Sequence, residues 1–361
     1  MPIRVVLGFE FYGSGNIGDD LMLDGFLSEL QETELELSCC AMATHQLDAL
    51  RVRFPRILWL EASAGLKERL IRDSDVWLGV GGTPFQASSG PWLMNRILRD
   101  LEWVERHGKS AFMIGVGSER ELTLLPAHRE LIRRCIRRVW TRDEATRAYL
   151  EERVGLSADQ VRLGADLANI SLGEAFVGTQ RIGETLGVNF YSEKISRADI
   201  SGLRTFSFEA SRARPVRFFA NELRPEYEAR VYRQVIGPWG RVPFMTRPSF
   251  FGPEYRAQST SSMLRHFLDY ECVLSSRYHA LLTASWAGAR VCALERASSK
   301  VSALANELDF PYVKSPLTAS RLRAALERAR GVASERLHTL RGRARASVAE
   351  LVTAIGYKKE P

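Results

Sequence analysis

The sequence predicts an α/β protein of two domains, each a largely parallel sheet flanked by helices. Three observations carry this. Short apolar strand runs alternate with helical spacing along most of the 361 residues. Three early strands run straight into glycine loops, at residues 13–18, 81–82 and 115–117. A second alternating series opens near Thr185, after an aperiodic stretch, Ser171 to Gln180, that is read as the domain linker. The expected units are residues 1–175, 181–316 and a C-terminal helical region, 317–361.

Composition agrees with a globular chain of two domains: 45% of residues are apolar and 26% charged. The formal net charge is +7, with arginine supplying most of the positive side. Arginine suits carboxylates and phosphates, although most of it is expected on solvated faces. The five cysteines, Cys39, Cys40, Cys135, Cys272 and Cys292, show no CxxC or Cys/His ligand spacing. They read as core residues in a reducing compartment, without structural zinc. Residues 1–9 lack the pattern of a signal peptide, and the longest clean apolar run, Ala280 to Ala289, is too short to span a bilayer. A cytoplasmic location is expected, with no nucleic-acid partner.

The first unit begins with a strand, Val5 to Phe9, the loop Tyr12 to Asp20 and a helix, Leu21 to Leu30. This is the opening of a nucleotide-binding-like α/β unit, although its loop is neither GxGxxG nor a P-loop. Asn16 and Asp19 are placed either to cap the helix or to contact a sugar hydroxyl. Strands follow at Leu35–Ala43, Ile57–Leu60 and Val76–Val80, the last ending at Gly81-Gly82. A helix, Trp92 to His107, precedes the strand Ala111 to Val116, which exits at Gly117-Ser118-Glu119-Arg120. A helix is expected over Leu131–Arg138, then a short strand, Val139–Thr141. Arg142 follows at the strand end, and Asp143 is placed to cap the helix Ala145–Arg153. Val161 to Leu163 delivers Asp166 to the same edge, as a turn residue or as a site carboxylate. Strand ends of a parallel sheet share one edge, so these loops form one cleft wall.

In the second unit, strands are expected at Thr185–Phe190, Val216–Ala220 and Val242–Phe244, and helices at Pro225–Val235 and Ser261–Leu268. Then comes the stretch that organises the chain. A strand, Glu271 to Leu274, is followed by Ser275 and Ser276 as helix caps, and Arg277 and His279 open an apolar helix, Ala280 to Ala287. Gly288 stops that helix before the strand Val291–Leu294. A cation and an imidazole at a strand's carboxyl end and a helix's amino end mark an anion site. The remaining histidines, His45, His107, His128, His266 and His338, are isolated and read as surface or helix residues. Leu317 to Ile355 forms basic amphipathic helices with an apolar stripe through Leu322, Leu326, Leu337, Leu340, Val348 and Leu351. Packing on the domains is the expected role for that stripe, and lying peripherally on an anionic inner-membrane surface is the alternative.

In order, Gly13-x-Gly15-Asn16-x-Gly18-Asp19-Asp20, Gly81-Gly82, Gly115-x-Gly117, Arg142-Asp143-Glu144, Asp166, Ser275-x-Arg277-x-His279-Ala280 and Lys300 resemble the polysaccharide pyruvyl transferase family, from about residue 5 to 312. The second loop departs from the pattern: Val80 stands where the family usually has the first of three glycines, and Ala87 near where it has an acid. Asp20 replaces a commoner glutamate. The resemblance implies a GT-B-like fold, two Rossmann-like domains facing across a cleft. It implies transfer of a pyruvyl group from phosphoenolpyruvate to a bacterial cell-envelope or exopolysaccharide sugar, free or lipid-linked, with phosphate released and no cofactor or metal. It also implies that Arg277, His279 and Arg142 hold the donor and that Asp166 is a catalytic or substrate carboxylate. Gly82, Asn16, Asp19 and Lys300 are the further substrate-binding candidates.

The chemistry suits those residues. Phosphoenolpyruvate carries two anionic groups on a small frame, which arginine forks can hold. The reaction needs a proton delivered to the methylene carbon and a base for the sugar hydroxyl. His279 and Asp166 are the candidates for both, and His279 could instead stabilise the leaving phosphate. A nucleotide-sugar glycosyltransferase on the same fold, or a non-catalytic assembly protein, are the competing readings.

Overall fold

The computed structural model describes residues 2–31, 33–42, 44–86, 91–119, 122–192, 195–222, 226–237, 240, 242–246, 259–295 and 300–356. Two parallel sheets organise it. The first holds β1 (Arg4–Leu7), β2 (Glu36–Ala41), β3 (Ile57–Glu61), β4 (Val76–Val80), β5 (Ser110–Val116), β6 (Ile136–Thr141) and β7 (Val161–Leu163). The second holds β8 (Thr185–Asn189), β9 (Val216–Ala220), β10 (Phe244–Thr246), β11 (Tyr270–Ser275), β12 (Arg290–Glu295) and β13 (Tyr312–Lys314). Their orders are β3-β2-β1-β4-β5-β6-β7 and β10-β9-β8-β11-β12-β13. Each order reverses beside its first strand, at β1/β4 and at β8/β11, and a crevice opens outside the strand ends at such a reversal.

Fourteen α-helices are present among the described residues. In the first half they are α1 (Ile17–Ser28), α2 (Leu47–Arg53), α3 (Ala64–Asp73), α4 (Trp92–Arg106), α5 (Pro126–Cys135), α6 (Glu144–Tyr149) and α7 (Ala168–Ala175). In the second half they are α8 (Arg197–Ala210), α9 (Glu226–Ile236), α10 (Thr260–Leu264), α11 (Tyr278–Trp286), α12 (Lys300–Leu308), α13 (Ala319–Arg328) and α14 (Ser334–Ala354).

Both domains are α/β, and the three glycine-ended strands, β1, β4 and β5, are neighbours in the first sheet. Central β4 is buried along its whole length, which is why it reads as an uninterrupted apolar run. Val80 ends that strand fully buried, whereas Ala87 and Arg120 lie outside the described residues.

Several boundaries differ from the sequence expectation. The helix expected over Leu131–Arg138 ends at Cys135, and β6 starts at Ile136, which pairs with Ala111 of β5. Pairing into the sheet overrides the local helical spacing there. The stretch read as linker from Ser171 opens instead inside α7, which is buried on nearly every side and so shows no stripe. Gly25 lets α1 approach it, since a Cβ there would lie 2.2 Å from the Leu167 carbonyl oxygen. The chain then passes from Phe176 to β8. The strand expected at Val242–Phe244 runs from Phe244 to Thr246. Helices α3, α8 and α12 and the short edge strand β13 were not foreseen.

The C-terminal helices divide between the domains. Helix α13 packs on α8, where Gly202 meets the Leu317 carbonyl so closely that any Cβ would collide with it. Helix α14 returns to the first domain. It buries Leu337, Leu340, Ala344, Val348 and Leu351, and Glu350 accepts a 2.8 Å hydrogen bond from Trp140 Nε1. Arg345 and Arg341 pair with Glu29 and Glu174 at 2.6 and 3.4 Å. The apolar stripe of α14 is thus covered by the protein itself. No helix among the described residues is long and apolar enough to cross a membrane.

Candidate active site

The carboxyl ends of the two sheets face each other, and two helix amino ends meet between them. On the first domain, the chain leaves β1 through a loop tied at both ends. Tyr12 donates its hydroxyl to the Val80 carbonyl at 2.7 Å, and the Gly13 N–H donates to Asp20 Oδ1 at 2.8 Å. Gly13 requires its φ of +71°, which a side chain would resist. Asn16 is the N-cap of α1, its Oδ1 accepting from the Gly18 N–H at 3.2 Å. On the second domain, β11 ends in a turn built by Ser275. Its Oγ donates to Asn189 Oδ1 at 2.9 Å and accepts from the Arg277 N–H at 3.0 Å. Ser275 and Ser276 therefore shape the turn and do not cap the helix. The N-cap is Arg277, and α11 has no side-chain cap, so its first N–H groups remain available to an anion.

The two motif helices touch. A Cβ on Gly18 would lie 1.9 Å from His279 Nδ1, so only glycine admits the imidazole at this position. The other ring nitrogen, Nε2, lies 3.3 Å from Asp166 Oδ2 without the alignment of a hydrogen bond. Asp166 is 1% exposed, and its Oδ1 accepts from the Ala168 N–H at 3.0 Å, at the head of α7. Burial alone would raise its pKa, but His279, Arg142 and that N–H hold it below the ordinary carboxylate value.

Arg142 is 2% exposed. Its Nε donates to Asp143 Oδ2 at 3.2 Å, and its Nη1 lies 3.8 Å from Asp166 Oδ2. The guanidinium sits 4.4 Å from the centre of the Tyr278 ring. It also presses on Gly117, where a Cβ would fall 2.4 Å from its Cζ. Asp143 caps α6 as expected, accepting from the Thr146 N–H at 2.7 Å. Three buried atoms of this group have no hydrogen-bond partner among the described residues: Arg142 Nη2, Asp166 Oδ2 and His279 Nε2. Buried polar atoms are ordinarily satisfied, so their convergence marks a place for a ligand.

Arg277 reaches the same cleft from the second domain. Its Nε and Nη2 each lie 3.2 Å from Glu228 Oε1, and Nη2 also pairs with Glu222. Its guanidinium lies 3.8 Å from the centre of the Tyr191 ring. Lys300 opens α12, and its pKa is pulled down to about 8 by burial and by the Arg142 and Arg277 charges, against Glu119 and Asp19. Asp19 moves the other way, to about 8, through burial and the neighbouring Asp20 and Glu222, against Asn16 and Lys300. A neutral acid and a cation thus share the cleft at neutral pH. Gly82 is buried, with a φ of +76° and its N–H 3.2 Å from Met22 Sδ, so it packs the loop floor. Asn189 has both ends of its amide engaged, by Ser275 and by the Phe219 carbonyl, and acts as a strut.

The fold therefore brings His279, Asp166, Arg142, Arg277, Lys300 and Asp19 into one interdomain cleft. Sequence reasoning passed over Tyr278, although it lies inside the SxRxHA motif. It also passed over Glu222, Glu228 and Tyr191. For Glu222 the available signal was its place just past the end of β9.

This arrangement is a two-domain GT-B architecture with a cleft lined by paired charges. Solved structures share the fold at low identity. A UDP-N-acetylglucosamine 2-epimerase from Rickettsia bellii aligns at TM-score 0.61 and 14% identity, over 98% of this chain and 95% of that one. Staphylococcus aureus MnaA, solved with UDP, gives 0.64 and 8%, over 100% and 98%. A glycosyltransferase from Rickettsia africae gives 0.55 and 9%, over 97% and 94%. No curated protein matches the chain in sequence. The family model for polysaccharide pyruvyl transferase matches residues 16–298, and the chain belongs to that family.

Proposed function

We propose that the cleft transfers the pyruvyl group of phosphoenolpyruvate to two hydroxyls of one sugar, in a polysaccharide or its lipid-linked precursor. The observation that carries this reading is that Arg142, Arg277 and Lys300, from two domains, lie close enough to feel one another's charge, with Arg142 set against the His279–Asp166 pair. Three cations match the two anionic groups of the donor. They would hold it while an acid delivers a proton to the methylene carbon. A sugar hydroxyl then bonds to the neighbouring carbon, and a second hydroxyl displaces phosphate as the carbon–oxygen bond to it breaks. Of the two hydroxyl protons, one ends on the new methyl group and the other on phosphate, so the balance needs no oxidant or reductant.

In this reading His279 is the proton-transfer residue. Asp166, held charged against burial, lies against the imidazole and orients it. The test is release of inorganic phosphate from phosphoenolpyruvate with oligosaccharide and lipid-linked acceptors. Release that requires acceptor supports it. A folded protein that releases none, yet binds a uridine diphosphate sugar, would instead be a nucleotide-sugar enzyme on this fold.

A further inference from the structure

Arg277 is gripped by two acids of its own domain, and the two differ. Glu228, on α9, is 2% exposed and bonds to both Nε and Nη2. The Tyr191 ring lies against the same guanidinium, its centre 3.8 Å away. Glu222 is only half-buried, follows the end of β9, and meets Nη2. The backbone at Glu222 also bridges to Asn16, the N-cap of α1 on the opposite domain. Glu222 thus lies where the two domains meet, and burial and like charges already crowd that point, as the shift of Asp19 shows.

Resting on the donor reading above, we propose that Glu228 and Glu222 are the positioning pair of Arg277. Glu228 is the permanent one, which aims the guanidinium. Glu222 is the exchangeable one, whose carboxylate keeps the seat that the donor's carboxylate takes. Arg277 is then the carboxylate end of the donor site. Arg142 and Lys300 form its phosphate end. The chemistry favours this division: a guanidinium suits a carboxylate, and Nη2 already holds that of Glu222. Nη2 already serves both Glu228 and Glu222, so a third carboxylate arriving there must displace the more exposed of them, Glu222.

The experiment is calorimetric titration of the full chain with phosphoenolpyruvate, pyruvate and inorganic phosphate, for wild type, Glu222→Gln and Glu228→Gln, with a thermal melt of each. Glu222→Gln removes the competing charge, so phosphoenolpyruvate and pyruvate should bind about tenfold tighter, with phosphate changed less than about twofold. Glu228→Gln should weaken both carboxylate ligands about tenfold and raise KM more than it lowers kcat. If Glu228→Gln melts early, Glu228→Asp, which keeps the charge, should restore part of the affinity. Phosphoenolpyruvate binding that is equal or weaker in Glu222→Gln overturns the exchange and leaves the donor reading standing. Tighter pyruvate binding in Glu222→Gln, with no phosphoenolpyruvate binding in any variant, keeps the seat and overturns the donor. No binding of any carboxylate overturns both.

Discussion

Two buried charge networks, one inside the first domain and one at the cleft where His279 of the second domain joins it, differ in how fully they are paired. Behind β1, Lys67 Nζ lies 2.6 Å from the Gly8 carbonyl and 2.8 Å from both Glu10 Oε1 and Asp100 Oδ2. Asp100 Oδ2 also accepts from Trp77 Nε1 at 3.0 Å, and Arg96 pairs with Glu10. One carboxylate oxygen, Asp100 Oδ1, is left without a hydrogen-bond partner. In the cleft, Arg142, Asp166 and His279 are nearly as buried, yet each leaves an atom unpartnered, and their mutual contacts run from 3.3 to 3.8 Å. The first network closes on itself and ties the β1 loop to α3 and α4. The second is assembled but open, as expected of groups held ready for a ligand. Burial and charge alone would not separate them; satisfaction does.

Breaking the open network should remove activity and spare the fold. His279→Ala is expected to lower acceptor-dependent phosphate release about a thousandfold. Its thermal midpoint should stay close to wild type. A variant that retains full turnover would end the site assignment.

The closed network should respond in the opposite sense. Lys67→Met leaves buried Asp100 without its cation and Glu10 with Arg96 alone, and should cost about 3–5 kcal/mol of unfolding free energy in urea. The fraction that remains folded should turn over normally. An equal stability loss in Arg142→Met would erase the contrast between the networks.

Gly18→Ala probes the seam between the two domains. Alanine favours the helix, so α1 itself is not weakened. The added methyl would strike His279, and a small displacement of that ring should lower turnover about a hundredfold with little change in melting.

The smallest effect separates the two aspartates by pH. Asp166 is held below its ordinary value, so its contribution to stability is present at neutral pH and is lost as pH falls through the folded pKa. Asp100 is raised, because burial outweighs Lys67, so its contribution is present at low pH and is lost as pH rises. Between pH 7 and about 4, the usual carboxylate value, the stability gap between wild type and Asp166→Asn should begin to narrow. The gap for Asp100→Asn should widen. Parallel urea titrations at the two pH values measure both, and identical trends would contradict the division.

Both alternating units were legible, because strand runs and glycine exits are local signals. So were Arg142, Asp166, Arg277 and His279, which all sit at strand ends of a parallel sheet. Helix α7 was illegible because burial on nearly every side erases periodicity. Glu228 was illegible for another reason. It is an ordinary acid on a surface-patterned helix, and only the packing of α9 brings it to Arg277. The Lys67 network is invisible for the same reason, since Glu10, Lys67 and Asp100 share no local pattern and meet only through the sheet order.

The return of α14 has a consequence for how the chain is made. Ser347 lies against Gly164, where a Cβ would come within 2.5 Å of its Oγ, and Glu350 completes the hydrogen bonding of Trp140. The surface of the first domain is therefore finished by residues synthesised some two hundred positions later. A nascent first domain leaving the ribosome must keep that flank uncovered while the second domain forms. The half of the molecule translated first is the half completed last.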